Sequence, residues 1–137
     1  MWRLPVVGEL VMGSVNRRLL ARHLRRGSAR EQSWPNARVD AIWEQFDQGT
    51  QRAILRLHRD ADEQTLTGAG QDLSRLAMPA LVLWGERDPW LPPAVGETYA
   101  HALPGGTVEA VPDAGHWPWL DRPELVERIA GFLAGQR

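Results

Sequence analysis

Cysteine is absent from the 137 residues, and that gap excludes disulfides, thiolate metal sites and a thiol nucleophile together. It leaves the compartment open, because many secreted proteins also lack cysteine. An excess of charge of either sign is missing too: 16 basic against 17 acidic residues leave a formal net charge of −1. Phosphate backbones are held by strongly positive surfaces, so a nucleic-acid partner is not expected. No uninterrupted apolar run approaches the roughly 20 residues that a helix needs to cross a bilayer. The opening MWRLPVVGELVMG comes nearest, but Pro5 and Glu9 interrupt it, and no small-residue cleavage site follows a long apolar core. The expectation is a soluble, cytoplasmic chain without a membrane partner. Internal repeats and low-complexity segments are lacking as well, and no residue pattern implies a cofactor or a metal.

What is there divides near residue 77. A chain of this length suffices for one small domain with a real core and is short for two ordinary ones. Residues 1–76 read as helices. Val39, Ile42, Trp43 and Phe46 recur at helical spacing, then Ile54 and Leu57 after a break at Gly49, with Thr50 expected to cap the second helix through its hydroxyl. From Met78 the texture changes. ALVLW is a short continuous apolar run of the kind found in strands covered on both faces. A helix is predicted over 94–103 and is ended by PGG at 104–106, since glycine and proline both stop helices. TVEAV at 107–111 reads as a second strand and PDAGH as a loop. The last helix is predicted with Asp121 as its N-cap, Pro123 in the first turn, Glu124 at the capping-box position, and Leu125, Val126, Ile129, Ala130 and Leu133 on one face. The order strand, helix, strand, helix predicts parallel strands joined by crossovers.

Chemistry gathers beyond the carboxyl ends of parallel strands, where the outgoing loops expose side chains. Two loops qualify: the first carries Asp88 after LVLWG, the second His116 after TVEAVPDAG. Adjacent strands would bring the two side chains to one rim, where a carboxylate can fix an imidazole's tautomer and stabilise its protonated form. An aspartate after a glycine commonly caps the next turn, but the paired His116 favours the acid role. His23, His58 and His101 lie in helical, mostly polar stretches without a matched partner, and Asp113 reads as a turn residue. Arg17, Arg18, Arg22, Arg25 and Arg26 read as a solvated helix side. Trp90, Trp117 and Trp119 flank the two loops and are read as packing rather than as substrate contacts.

From Leu76 to Ala134 the chain resembles the C-terminal part of an α/β-hydrolase, with MPALVLWGERDPWLPP in the place of the acid-bearing strand and loop, and VPDAGHWPWLDRPELVERIAGFL in the place of the histidine loop and closing helix. Both motifs occur in the family's order and separation. Residues 1–76, from LPVVGELVMG onward, resemble the helical cap that such enzymes insert before the acid-bearing strand, and 77–137 the C-terminal part of the core. The resemblance implies an α/β fold with two parallel strands and flanking helices. It also implies that Asp88 orients His116, and that His116 serves as general base toward a nucleophile and general acid toward the leaving group.

The family's nucleophile sits on a strained strand-to-helix turn, usually G-x-S-x-G, and neither that motif nor an aspartate in the same setting occurs in the sequence. Because the family runs nucleophile, acid, histidine, the resemblance implies that the elbow, the oxyanion-hole loop and the first strands lie upstream, and that the chain is the back half of an enzyme. Two parallel strands cannot bury both faces, and a lone pair is barely stable in water. An open sheet edge is therefore expected to pair with an N-terminal half or with a second copy. The implied activity is hydrolysis of an ester or similar small organic substrate, with serine esterases, lactonases and cofactor-free haloperoxidase-like members all compatible. The alternatives are a non-catalytic remnant acting as an interaction module, and a truncated reading frame inactive alone.

Overall fold

Side-chain oxygens cap three of the helices at their starts. The computed structural model describes residues 2–135; Met1, Gln136 and Arg137, which fall in the segments expected as cap and core, lie outside the described residues. The chain forms two compact units, one of Met1–His23 with Trp34–Gln71, the other of Leu24–Ser33 with Asp72–Arg137. Among the described residues no helix is long and apolar enough to cross a membrane.

The first unit is helical: α1 (Val7–Gly13), most of α2 (Arg17–Arg26), α3 (Asn36–Glu44), α4 (Gln48–Asp60) and α5 (Glu63–Gly70). Its interior holds Met12, Ala21, Trp34, Val39 and Leu55. Residue 8 is glycine where α1 meets α4, because a Cβ there would lie 2.8 Å from the Trp2 carbonyl and 3.1 Å from Leu55. The bidentate bond from Arg59 to Glu9 (2.8 and 2.9 Å) fastens the same two helices, and Arg17 pairs with Asp40 between α2 and α3. Helix starts are capped by side-chain oxygens that accept the free first-turn N–H groups. Asn16 takes those of Arg18 and Leu19, Asp47 takes Thr50 N–H at 2.7 Å, and Asp62 takes Thr65 N–H at 2.7 Å. Thr50 is thus not the cap that the sequence predicts. Asp47 caps α4, the Thr50 hydroxyl donates to the Gln45 carbonyl, and the break falls before Gln48 rather than at Gly49.

The second unit carries the sheet. Strands β1 (Ala80–Gly85) and β2 (Gly106–Val111) pair in parallel, from Ala80↔Gly106 to Gly85↔Val111, and α6 (Pro93–Ala102) connects them. The order strand, helix, strand stands as predicted. Leu81 to Trp84 are only half-buried, so the face-covering that ALVLW predicts is incomplete within this chain. On α6 the buried positions are Gly96 and Ala100. Gly96 rests on the Trp84 ring, where a Cβ would come within 2.9 Å, and Tyr99 stacks beside that ring with 48% of its surface exposed.

After β2 come a short helix α7 (Pro118–Asp121) and α8 (Leu125–Ala134). Asp121 does not cap α8. It ends α7, is 1% exposed, and its carboxylate points inward to bond Gly115, Ala29, Arg30 and Ser33. The Pro-Glu pair that follows starts the helix at Leu125 without a side-chain cap. Arg128 ties α8 to Glu109 of β2. The apolar side of α8 stays open: Val126 is 59% and Leu133 61% exposed. Leu125, Ile129 and Leu133 line a groove of about 340 Å³ together with Leu81, Leu83 and Trp119.

Because Leu55 is 4% exposed, Leu55→Ala is expected to lower the unfolding free energy by roughly 2–5 kcal/mol, a loss that urea titration followed by circular dichroism measures.

Candidate active site

Both strands of the parallel pair end at the same rim, and each hands its chain to a loop that carries an ionisable side chain. After Gly85 the chain turns tightly, with Asp88 N–H donating to the Gly85 carbonyl at 3.3 Å. After Val111 it turns at Pro112–Asp113, and Asp113 takes a left-handed φ of 57°, a conformation aspartate tolerates better than most residues. Two backbone bonds sew the loops together: Glu86 N–H to the Val111 carbonyl at 3.1 Å, and Arg87 N–H to the Ala114 carbonyl at 2.9 Å. The exposed Arg87–Asp113 ion pair lies above them and adds little in water. The charged run after LVLWG thereby divides. Glu86 and Arg87 supply backbone donors, and Asp88 turns its carboxylate inward.

The Asp88 Oδ2 lies 2.8 Å from His116 Nδ1. The aspartate side chain is 5% exposed, the histidine 34%. Asp88 Oδ1 accepts the N–H groups of Trp90 (2.9 Å) and Leu91 (3.1 Å), so one carboxylate both shapes its own loop and faces the imidazole. Burial pushes its pKa up, but the Trp90 N–H, His116 and the Leu91 N–H together outweigh burial and hold the group below the ordinary value of 3.8. With Asp88 ionised and acceptor-only, Nδ1 must carry the proton of the shared bond, and Nε2 of the neutral ring is left as an acceptor. A cleft of about 220 Å³ opens at the pair, walled by Leu83, Trp84, Leu91 and Trp119.

Two tryptophans grip the imidazole. Trp90 and Trp117 stand edge-on to His116, with ring centroids at 4.8 and 5.2 Å, and edge-on to each other at 5.6 Å. That arrangement suits aromatic quadrupoles. Trp119, in contrast, is 49% exposed. Of the remaining histidines, His58 and His101 place Nδ1 against the carbonyls four residues earlier in their own helices, and His23 lies within α2.

Three residues important to this geometry escape sequence reasoning. Gly85, Gly115 and Gly27 mark places where backbones touch. A Cβ on Gly85 would meet the Gly115 carbonyl at 2.1 Å, one on Gly115 would meet the Gly27 carbonyl at 2.2 Å, and one on Gly27 would strike Trp117 at 2.3 Å and Trp90 at 2.5 Å. Glycine in a strand end or a loop signals close approach in general, but Gly27 lies 89 positions before His116 and nothing local announces the contact.

Comparison with known proteins agrees with this fold. A family model described as the alpha/beta hydrolase family matches residues 3–129. The uncharacterized hydrolase YugF of Bacillus subtilis is 32% identical over 77 residues, 56% of this chain and 26% of that protein. BpoC of Mycobacterium tuberculosis H37Rv, which carries a provisional name as a non-heme bromoperoxidase, is 43% identical over 51 residues, 37% of this chain and 20% of that one. Its crystal structure superposes with a TM-score of 0.61 at 22% identity, covering 99% of this chain and 55% of its own. A serine hydrolase involved in carbazole degradation, CarC, superposes with a TM-score of 0.70 at 13% identity, covering 89% and 48%. At those identities the superpositions establish the fold. The chain spans about half the length of these solved structures, and its sequence matches span about a quarter or less of the curated relatives.

Two outcomes test the site's construction. Gly85→Ala forces backbone apart and is expected to cost roughly 1–3 kcal/mol, read from urea unfolding. Asp88 and Asp121 both have folded pKa values below the ordinary 3.8, so each contributes stability that is present above that value and lost as pH falls through the lower, folded one. The melting temperature is expected to drop on acidification below about pH 4, and less steeply in Asp88→Ala than in the wild-type chain.

Proposed function

Because the chain belongs to the alpha/beta hydrolase family, we propose that Asp88 and His116 are the acid and the base of a nucleophile–histidine–acid triad that hydrolyses an ester or similar small organic substrate. The nucleophile comes from polypeptide outside these 137 residues. The observation that carries this reading is the 2.8 Å bond between His116 Nδ1 and Asp88 Oδ2. In the neutral ring it puts the proton on Nδ1 and leaves Nε2 as an acceptor, on a ring still one-third exposed, where an incoming hydroxyl can donate its proton.

The chemistry follows from that orientation. Nε2 takes the proton of the nucleophile as it attacks the substrate carbonyl; the imidazolium so formed is stabilised by the ionised Asp88. The same proton then passes to the departing alkoxide. A water molecule repeats the sequence on the acyl intermediate, which releases the acid and restores the neutral histidine. Asp88 keeps its charge throughout, since three donors stabilise its ionised form.

The partner in this reading is a nucleophile-bearing half that pairs with the open edge of β1 and seats on the groove of Leu81, Leu83, Trp119, Leu125, Ile129 and Leu133. Apolar surface of that kind beside unpaired strand edge favours association. In support, the solved structures of the same fold hold about twice as many residues as are matched here. A second reading, a non-catalytic interaction module, is favoured by one observation: no G-x-S-x-G occurs in the sequence.

Co-expression with a G-x-S-x-G-bearing half separates the two. The chain alone is expected to leave a p-nitrophenyl ester intact, and the complex to turn it over with a kcat that His116→Ala lowers about a million-fold. Full turnover by a complex carrying His116→Ala would sink the proposal. Turnover by the chain alone that the same substitution abolishes would place the nucleophile within these residues.

A further inference from the structure

His116 sits on a stretch, 112–117, with no regular secondary structure, so its position must be imposed from outside. Three consecutive residues of that stretch are each held by a different group. The Ala114 carbonyl accepts from Arg87 N–H at 2.9 Å, Gly115 N–H donates to Asp121 Oδ2 at 2.7 Å, and His116 N–H donates to the Gly27 carbonyl at 2.6 Å. The last of these depends on an arch far upstream, residues 27–33, that has only a single 3-10 turn at Glu31–Ser33. The arch is itself held by Asp121: Oδ2 accepts Ala29 N–H at 2.8 Å, and Oδ1 accepts Arg30 N–H at 3.4 Å and the Ser33 hydroxyl.

From this closed circuit we infer that Asp121 is a positioning residue for His116: its carboxylate fixes the histidine loop and the 27–33 arch together, so that Gly27 holds the His116 backbone and the ring reaches Asp88 through Nδ1. The inference rests on the triad reading and concerns the same site. Gly115 and His116 are the two ends of the circuit, adjacent in sequence, one bonded to Asp121 and the other to the arch that Asp121 secures. Only an ionised carboxylate suits the position, because it is acceptor-only and four donors converge on it. Asparagine would turn an NH₂ group toward N–H donors in a site that is 1% exposed, where an unmatched polar group is not compensated by water. Burial raises the carboxyl's pKa, yet the Ser33 hydroxyl and the N–H groups of Gly115, Ala29 and Arg30 bring it below the ordinary value, in accord with a clamp that is charged at neutral pH. Gly27 supports the same conclusion independently. A side chain there would run into Trp117 and Trp90, the two rings against the imidazole.

The test reads the imidazole rather than turnover. In the 137-residue chain labelled with ¹⁵N-histidine, the ring nitrogens distinguish the Nδ1–H tautomer that Asp88 demands from the Nε2–H tautomer that dominates in free histidine. Asp121→Asn is expected to raise the Nε2–H share of neutral His116 about tenfold, the factor carried by a lost hydrogen bond of ordinary net strength. Asp88→Ala, which removes the acceptor itself, sets the upper limit. If Asp121→Asn does not fold, Ser33→Ala gives the answer, since it removes one donor at the far end of the arch and leaves the carboxylate; a rise of about twofold is expected. A lower melting temperature with an unchanged tautomer ratio in the folded variants would overturn the inference and leave Asp121 as a stabilising residue only. The triad reading fails on a separate observation, hydrolysis by the complemented enzyme that survives His116→Ala, and that result leaves the tautomer ratio as it was.

Discussion

Backbone touching backbone at three glycines is the constraint on which the candidate site depends. The end of β1 at Gly85 lies against Gly115 of the histidine loop, and Gly115 lies against Gly27 of the arch, each within a distance that no Cβ could occupy. None of the three glycines has a positive φ, so space and not conformational freedom is the reason for the residue type. With side chains removed from the contact, the acid loop and the histidine loop can share main-chain bonds, and the Asp88–His116 distance follows from main-chain geometry instead of from flexible side-chain reach. Preorganisation of this kind holds the imidazole in one orientation without a search among side-chain conformers.

Two buried aspartates divide the work. Asp88 faces the ring and uses its second oxygen to hold its own loop; Asp121 faces no titrating partner and spends both oxygens on the frame. In each, burial alone would favour the neutral acid, and N–H and O–H donors reverse that preference. The two carboxylates therefore differ in what they face: Asp88 faces the imidazole as well as N–H groups, Asp121 backbone N–H groups and a hydroxyl. The indoles of Trp90 and Trp117 complete the enclosure on the ring's flanks.

Much of this was legible in the residues. ALVLW, a continuous apolar run, and TVEAV, a short β-branched stretch, with a helix between them and glycine and proline at their flanks, specify the parallel pair. The positions of Asp88 and His116 directly after the two strands sufficed to bring them to one rim. Asp121 was misread because D-R-P-E carries every local mark of a helix start, and the tertiary donors that claim its carboxylate come from residues about ninety positions away. Thr50 does not cap for a smaller reason: Asp47, three residues earlier, accepts the Thr50 N–H and starts the helix at Gln48, which puts Thr50 inside the first turn. The apolar stripe of α8 was visible, but its partner was not, and in this chain Val126 and Leu133 remain uncovered.

The separations along the chain carry one more consequence. Asp88 and His116 are 28 residues apart, whereas Asp121 reaches 92 residues back to Ala29. Closing the longer loop costs about 1 kcal/mol more chain entropy than closing the shorter, and the arch has one 3-10 turn, Glu31–Ser33, to offset that cost locally. The strand pair and its connecting helix can therefore assemble first, with the arch joining last, and in the finished molecule the arch is the element able to detach while the strands stay zipped.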